Sequence, residues 1–232
     1  MKKTGEGLAS YAVSQLGRPY WYGTFGQTAS SALLRSKSEQ YPQYYTASRL
    51  SGYKKQFGKR VHDCVGLVKG YLWSDSPDSE PEYDASQDVS SEGMRALCRE
   101  KGKMSDMPEI PGLLVFSDGH MGVYIGGDRV IEARGFDYGV IETKVGSRGW
   151  EEWGRCPWVS YSEESSGTKN LFPAYTGSSG SIADALKSIG ADGSYSGRRL
   201  IASVNGVSGY SGTPEQNILL LDKLKSGSLI KP

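Results

Sequence analysis

Cysteine is scarce in this 232-residue chain, and odd in number: three residues, at positions 64, 98 and 156. That excludes a disulfide scaffold and leaves at least one free thiol to account for. Histidine is scarcer still. The chain has two, His62 and His120, and no Cys-x-x-Cys pair accompanies them, which argues against a zinc site or any other metal cofactor. No run approaches the roughly 18 apolar residues of a membrane-spanning helix, so no membrane span is expected. Lys2 and Lys3 have no apolar run behind them, so no secretory signal peptide is expected either. Net charge is almost absent, +1 from 27 basic and 26 acidic side chains, unlike a dedicated nucleic-acid binder.

What is present is enough apolar and aromatic material, 37% and 11%, for a packed core. It is unevenly distributed. Beyond about residue 177 the only aromatics are Tyr195 and Tyr210. A Ser-, Gly- and Thr-rich stretch precedes that change, and residues 166–180 read as a linker. Two domains are expected, 1–165 and 181–232. The second reads as three short helices, over 181–190, 196–204 and 213–225, with Pro214 in the first turn of the last and Gly227 after its end. Ile182, Leu186, Ile189, Leu200, Ile201, Val204, Ile218, Leu221 and Leu224 are their candidate shared core.

The first domain opens with a helical pattern, Leu8, Tyr11, Ala12 and Leu16, stopped by Gly17 and Pro19. A second helix is expected from Asp63 to about Trp73. Strand signals follow at 113–116, 121–125, 129–133 and 140–143, separated by Gly- and Asp-containing turns. Helices followed by a strand meander predict an α+β fold. Residues 24–61 form a basic insertion, with seven basic side chains against Glu39 alone and several tyrosines interleaved. Residues 74–88 carry six acidic side chains and no basic one, in a spacing that matches no calcium loop. The two blocks read as solvated loops of opposite sign. The first is alternatively one wall of a groove for an anionic or sugar-containing polymer.

Two short runs carry chemistry. In His62-Asp63-Cys64-Val65-Gly66-Leu67-Val68 the cysteine stands at a helix start, where free backbone N–H groups and the helix dipole favour a thiolate. On its own such a cysteine is more often a small buried hydrophobe. In Gly119-His120-Met121-Gly122-Val123-Tyr124-Ile125-Gly126 a histidine begins a strand between small neighbours that leave room for a substrate. A thiol nucleophile needs such a base and a third polar group to orient it. His62, in the turn before the helix, is poorly placed for that task and reads as a solvated loop residue. Cys98 and Cys156 read as buried structural thiols.

Together with Pro19-Tyr20-Trp21-Tyr22-Gly23 and Pro111-Gly112-Leu113-Leu114-Val115-Phe116, these runs resemble the NlpC/P60 cysteine peptidases, with four motifs in the family's order across most of residues 8–160. The resemblance implies a papain-like α+β fold, with helices packed on a central antiparallel sheet. It also implies cleavage of bacterial peptidoglycan stem peptides, usually after γ-D-glutamate. Carried over, Cys64 is the nucleophile, His120 the base and Glu132 the orienting residue, with Tyr20 beside the nucleophile and Asp63 before it as substrate-side residues. The family often has histidine where Glu132 stands and serine at position 65, and its connection between positions 23 and 63 is shorter. The tail resembles small helical modules behind Gram-positive and phage lytic domains, which implies a cell-wall polymer as its ligand. With no signal peptide, release from the cytoplasm in a phage-like manner, or non-classical export, is the expected route to the wall. Muramoyl-alanine amidase, CHAP-type cross-bridge cleavage and a catalytically inactive wall binder are the alternatives.

Hairpin register decides whether Glu132 can serve. His120 and Glu132 share a face when Ile125 pairs with Arg129 across a three-residue loop, whereas a simple two-residue turn separates them. A three-residue loop or a β-bulge is therefore expected.

Overall fold

A computed structural model of the chain describes residues 3–161, 171–207 and 209–232. Thr4 opens the first helix, α1 (Gly5–Ser14), by accepting the Gly7 N–H with its side chain. The face of α1 that carries Leu8, Tyr11 and Ala12 is buried, and α1 packs against strand β5 (His120–Gly126) and helix α4 (Gly66–Trp73). Between α1 and α4 lie β1 (Phe25–Thr28), α2 (Ser31–Gln40), α3 (Leu50–Lys54) and β2 (Arg60–His62), with β1 and β2 paired antiparallel. Then follow α5 (Ser91–Leu97), β3 (Lys101–Lys103), β4 (Leu114–Ser117), β5, β6 (Arg129–Ala133), β7 (Val140–Lys144) and β8 (Glu152–Gly154). Six of these strands form one antiparallel sheet in the order β3-β8-β4-β5-β6-β7. Helices on an antiparallel meander make the fold α+β, as the sequence predicts. No helix among the described residues is long and apolar enough to cross a membrane.

The β5–β6 hairpin sets the faces. Gly127 and Asp128 make its turn, both with positive φ (60° and 62°), the conformation that two-residue hairpin turns require. Such a turn alone would put His120 and Glu132 on opposite faces. The ladder shifts, however, between Tyr124 and Gly126: Gly126 pairs with Arg129, while Tyr124 pairs with Val130 and Val123 with Ile131. The bulge at Ile125 absorbs one residue and returns Glu132 to the face of His120, Gly122 and Tyr124. The expected bulge is present, and Gly126 takes the place expected for Ile125 opposite Arg129.

The basic insertion is not a solvated loop. Trp21, Ala29, Leu34, Tyr45, Tyr53 and Val61 form a buried cluster, with Tyr22, Tyr41, Tyr44 and Phe136 packed against it. Nor are the two charge blocks independent. The acidic segment meets basic partners: the Glu80 carboxylate lies 3.9 Å from Arg60 and that of Asp78 3.6 Å from Arg18, the Asp78 backbone carbonyl accepts from Arg60, and Asp88 pairs with the buried Lys69. Opposite charges placed far apart in sequence thus meet in the fold.

The chain divides into two compact units, Met1–Tyr161 and Ser162–Pro232. In the second, α6 (Ile182–Ser188), α7 (Tyr195–Val204) and α8 (Pro214–Lys225) are capped by Ser181, Ser194 and Thr213. Thr213 and Gln216 form a capping box, with Pro214 in the first turn of α8. Ile182, Leu186, Ile201, Leu221 and Leu224 are buried together, while Ile218 is 55% exposed and lies outside that core. Of the expected linker, residues 166–170 lie outside the described residues. Residues 171–180 begin as part of the helical unit, because the Phe172 ring is buried in its core and the N–H groups of Phe172 and Tyr175 bond to the carbonyls of Leu229 and Leu224. Two aromatic side chains supply the apolar surface that the small residues around them lack.

Candidate active site

The segment Asp63-Cys64-Val65 joins β2 to α4. Regular helix begins at Gly66, three residues later than the sequence suggests, and Asp63 braces the turn that leads into it. Its Oδ1 accepts the Gly66 N–H at 2.6 Å and its carbonyl accepts the Leu67 N–H. Oδ2 accepts the Gly23 N–H at 2.8 Å, tying the Tyr20–Gly23 turn to the helix start. Both carboxylate oxygens of Asp63 are thus occupied by backbone. The junction is tight enough to require glycine, since a Cβ at position 66 would lie 1.8 Å from the Thr24 carbonyl oxygen.

Cys64 is partly exposed, whereas Cys98 and Cys156 are buried, each 2% exposed. Burial first, and then the Asp63 charge, push the Cys64 thiol up to about 12, while the N–H groups of Val65, Met121 and Cys64 itself oppose the rise. The Met121 N–H beside the sulfur brings the start of β5, where His120 stands, to Cys64. Tyr20 bridges to His62 in β2 and lies close enough to Asp63 and Cys64 for their charges to reinforce burial. These effects hold its phenol well above the ordinary range, so it remains a neutral hydroxyl.

His120 Nε2 lies 2.7 Å from Glu132 Oε2, and Glu132 is fully buried in β6. Burial favours the neutral acid, but hydrogen bonds from His120 and Thr143, with the His120 and Arg148 charges, outweigh it and hold the carboxyl below its usual range. An ionised carboxylate only accepts, so Nε2 carries the hydrogen and Nδ1 is the nitrogen left to receive a proton. The imidazole also stacks on Trp150, with centroids 5.6 Å apart and planes 15° apart. Gly122 keeps that space open, because a Cβ there would lie 3.2 Å from Trp150 Cη2.

The structure therefore brings Tyr20, Asp63 and Cys64 together at one end of α4, and His120 and Glu132 together on adjacent strands. His62 is fully buried rather than solvated: its Nε2 is 3.1 Å from Gln15 Oε1, and burial lowers its imidazole to about 3. Sequence reasoning missed Thr143, Arg148 and Trp150, which complete the surroundings of His120 and Glu132. Thr143 was visible only as a polar residue in a strand, and nothing local marked Arg148.

No protein-family model and no curated protein matches the sequence. Among solved structures, the chain is similar to NlpC2 from Trichomonas vaginalis at a TM-score of 0.41 and 16% identity, over 66% of this chain and 47% of that one. It is similar to the peptidoglycan hydrolase RipB from Mycobacterium tuberculosis at a TM-score of 0.41 and 21% identity, over 68% of this chain and 65% of that one. A P60 domain from M. avium subspecies paratuberculosis gives a TM-score of 0.40 and 16% identity, over 67% of this chain and 98% of that one. The chain thus spans less than two thirds of the length of the first two of these proteins.

Proposed function

We propose that this chain is a peptidoglycan hydrolase of the NlpC/P60 type that cuts an amide bond of the stem peptide, after γ-D-glutamate, by cysteine nucleophile catalysis. The observation that carries this reading is the His120–Glu132 contact at 2.7 Å, which engages Nε2 and leaves Nδ1 as the nitrogen able to act as a base toward the Cys64 thiol. A thiol pushed up to about 12 does not ionise unaided at neutral pH, so the site needs the base that the strand supplies. His120 Nδ1 takes the thiol proton as Sγ bonds to the amide carbonyl carbon. The oxyanion is received by N–H groups at the start of α4, Cys64's own among them. The C–N bond then breaks, and the imidazolium protonates the leaving amine. A water molecule, deprotonated by the same nitrogen, hydrolyses the thioester and restores the thiol. Tyr20, a neutral hydroxyl beside the sulfur, contacts the substrate, and Asp63 holds the segment that presents both.

Mass spectrometry of fragments released from purified peptidoglycan tests the bond assignment. New amino termini behind γ-D-glutamate support it, and release of whole stem peptides from muramic acid would instead identify an amidase. Cys64→Ala and His120→Ala should abolish release, while Cys98→Ala and Cys156→Ala should retain it. Full release by Cys64→Ala would end the cysteine-hydrolase reading. For the helical unit we propose binding to a cell-wall polymer, which raises the concentration of the hydrolase at its substrate. A fluorescent fusion of residues 171–232 should sediment with purified Gram-positive walls, and its recovery in the supernatant would refute wall binding.

A further inference from the structure

Glu132 is fully buried, and its carboxylate meets three polar side chains among the described residues. Oε2 lies 2.7 Å from His120 Nε2 and 3.1 Å from Arg148 Nη2. Oε1 lies 2.8 Å from Thr143 Oγ1 and 2.9 Å from Arg148 Nε. Arg148 therefore meets both oxygens, hydrogen-bonding Oε2 through Nη2 and lying in ion-pair contact with Oε1 through Nε. The same guanidinium lies 5.8 Å from the centre of the Trp150 ring, and Trp150 stacks on His120. Arginine, tryptophan and histidine thus form a bracket around one buried carboxylate.

The bracket matters because the charge of His120 alternates during the reaction. While the ring is an imidazolium, Glu132 has a cation on either side. Once the ring is neutral, Arg148 is the remaining full positive charge in contact with the carboxylate. A buried carboxylate without a cation takes up a proton. A protonated Glu132 would donate that proton toward Nε2, and the ring hydrogen would then reside on Nδ1. An imidazole protonated on Nδ1 cannot accept the proton of Cys64.

We propose that Arg148 is a positioning residue for His120: by pairing with Glu132 in both charge states of the ring, it keeps the hydrogen on Nε2 and the lone pair on Nδ1. This rests on Cys64 and His120 acting as nucleophile and base. Its test is chosen to stand apart from that reading. The chain has only two histidines, and the buried His62 supplies an internal reference. Nitrogen-15 NMR of the labelled full-length protein, at mildly alkaline pH without substrate, distinguishes the tautomers directly.

Wild-type protein should show a protonated Nε2 and an unprotonated Nδ1 on His120. Arg148→Met should shift that ring toward the Nδ1–H form and leave the His62 signals in place. Thr143→Val, which removes a bond to the same carboxylate but no charge, should keep the wild-type tautomer, and Arg148→Lys should largely restore it. On peptidoglycan fragments, Arg148→Met should lower kcat by about tenfold to a hundredfold with KM little changed. Where Arg148→Met does not fold, Arg148→Gln is read in the same way. An unchanged His120 tautomer in the neutral variant, or an equal change in Thr143→Val, overturns the proposal. A switched tautomer in a chain that cuts no peptidoglycan overturns the functional reading alone.

Discussion

Alkylation of Cys64 offers a quantitative check on the base. Burial first, and then the Asp63 charge, push the thiol from the ordinary 9.0 up to about 12 in the intact protein, and His120→Ala takes away the proposed proton acceptor without relieving either. At neutral pH that leaves about a thousandfold less thiolate than on an unperturbed cysteine, and iodoacetamide reacts with the thiolate alone. With His120 in place the proton has an acceptor, and labelling should proceed at least as fast as on a free cysteine. The ratio of the two rates should therefore exceed about a hundredfold, even if the thiol lies a full unit lower. In the variant the rate should climb about tenfold per pH unit across the alkaline range, without a plateau. Cys98 and Cys156, each 2% exposed and raised by burial to about 11 and about 12, should stay silent in the folded protein. Asp63 sets a second sign: its charge is part of what raises the thiol, so Asp63→Asn in the His120→Ala background should recover some of the lost rate. Peptide mass mapping after timed exposure resolves all three cysteines. Equal labelling of Cys64 in wild type and His120→Ala would refute the assignment of His120 as its base.

Gly66→Ala should destabilise the first unit by about 3 kcal/mol, since the new Cβ would lie 1.8 Å from a backbone oxygen that cannot move without dragging the Thr24 turn. Calorimetry should show a melting point lower by about 10 °C, and an unchanged value would mean the junction is looser than described. His62 makes the first unit acid-sensitive: its folded-state value of about 3 lies below the unfolded 6.5, so the unfolded chain binds the extra proton between them. Stability should fall as pH drops through that window, by up to about 1.4 kcal/mol per pH unit, and His62→Gln should flatten the slope in urea titrations at stepped pH.

How much of this was legible in the sequence depended on the range of the interactions. The helix of Leu8, Tyr11 and Ala12, the four strands of the meander and the three tail helices all carry their signals within a few residues, as apolar periodicity, caps or glycine turns. The core of the insertion was illegible because Trp21, Tyr45 and Tyr53 come from three separate short segments, with no period to reveal the cluster. His62 looked solvated because its partner Gln15 is 47 positions away. Glu132 was found through the motif that places it after His120, and hairpin arithmetic then required a bulge. Arg148 lies 16 positions beyond it, across β7, and nothing in its own neighbourhood marks it as the partner of a buried carboxylate. The charge blocks were visible as blocks; their mutual neutralisation was not, since it depends on which loop folds back onto which.

The bulge at Ile125 also governs how this hairpin tolerates changes in length. Side chains alternate across a strand, so adding or deleting one residue between Tyr124 and Arg129 turns every later side chain of β6 over. Glu132 would then face α1 instead of His120, and Ile131 would enter the carboxylate's place beside Arg148. A change of two residues leaves the facing pattern intact and alters only the reach of the turn. Length variation at this tip is therefore quantised in pairs: single insertions are far more damaging than most substitutions along β5 and β6, although they fall on an exposed loop where insertions are ordinarily harmless.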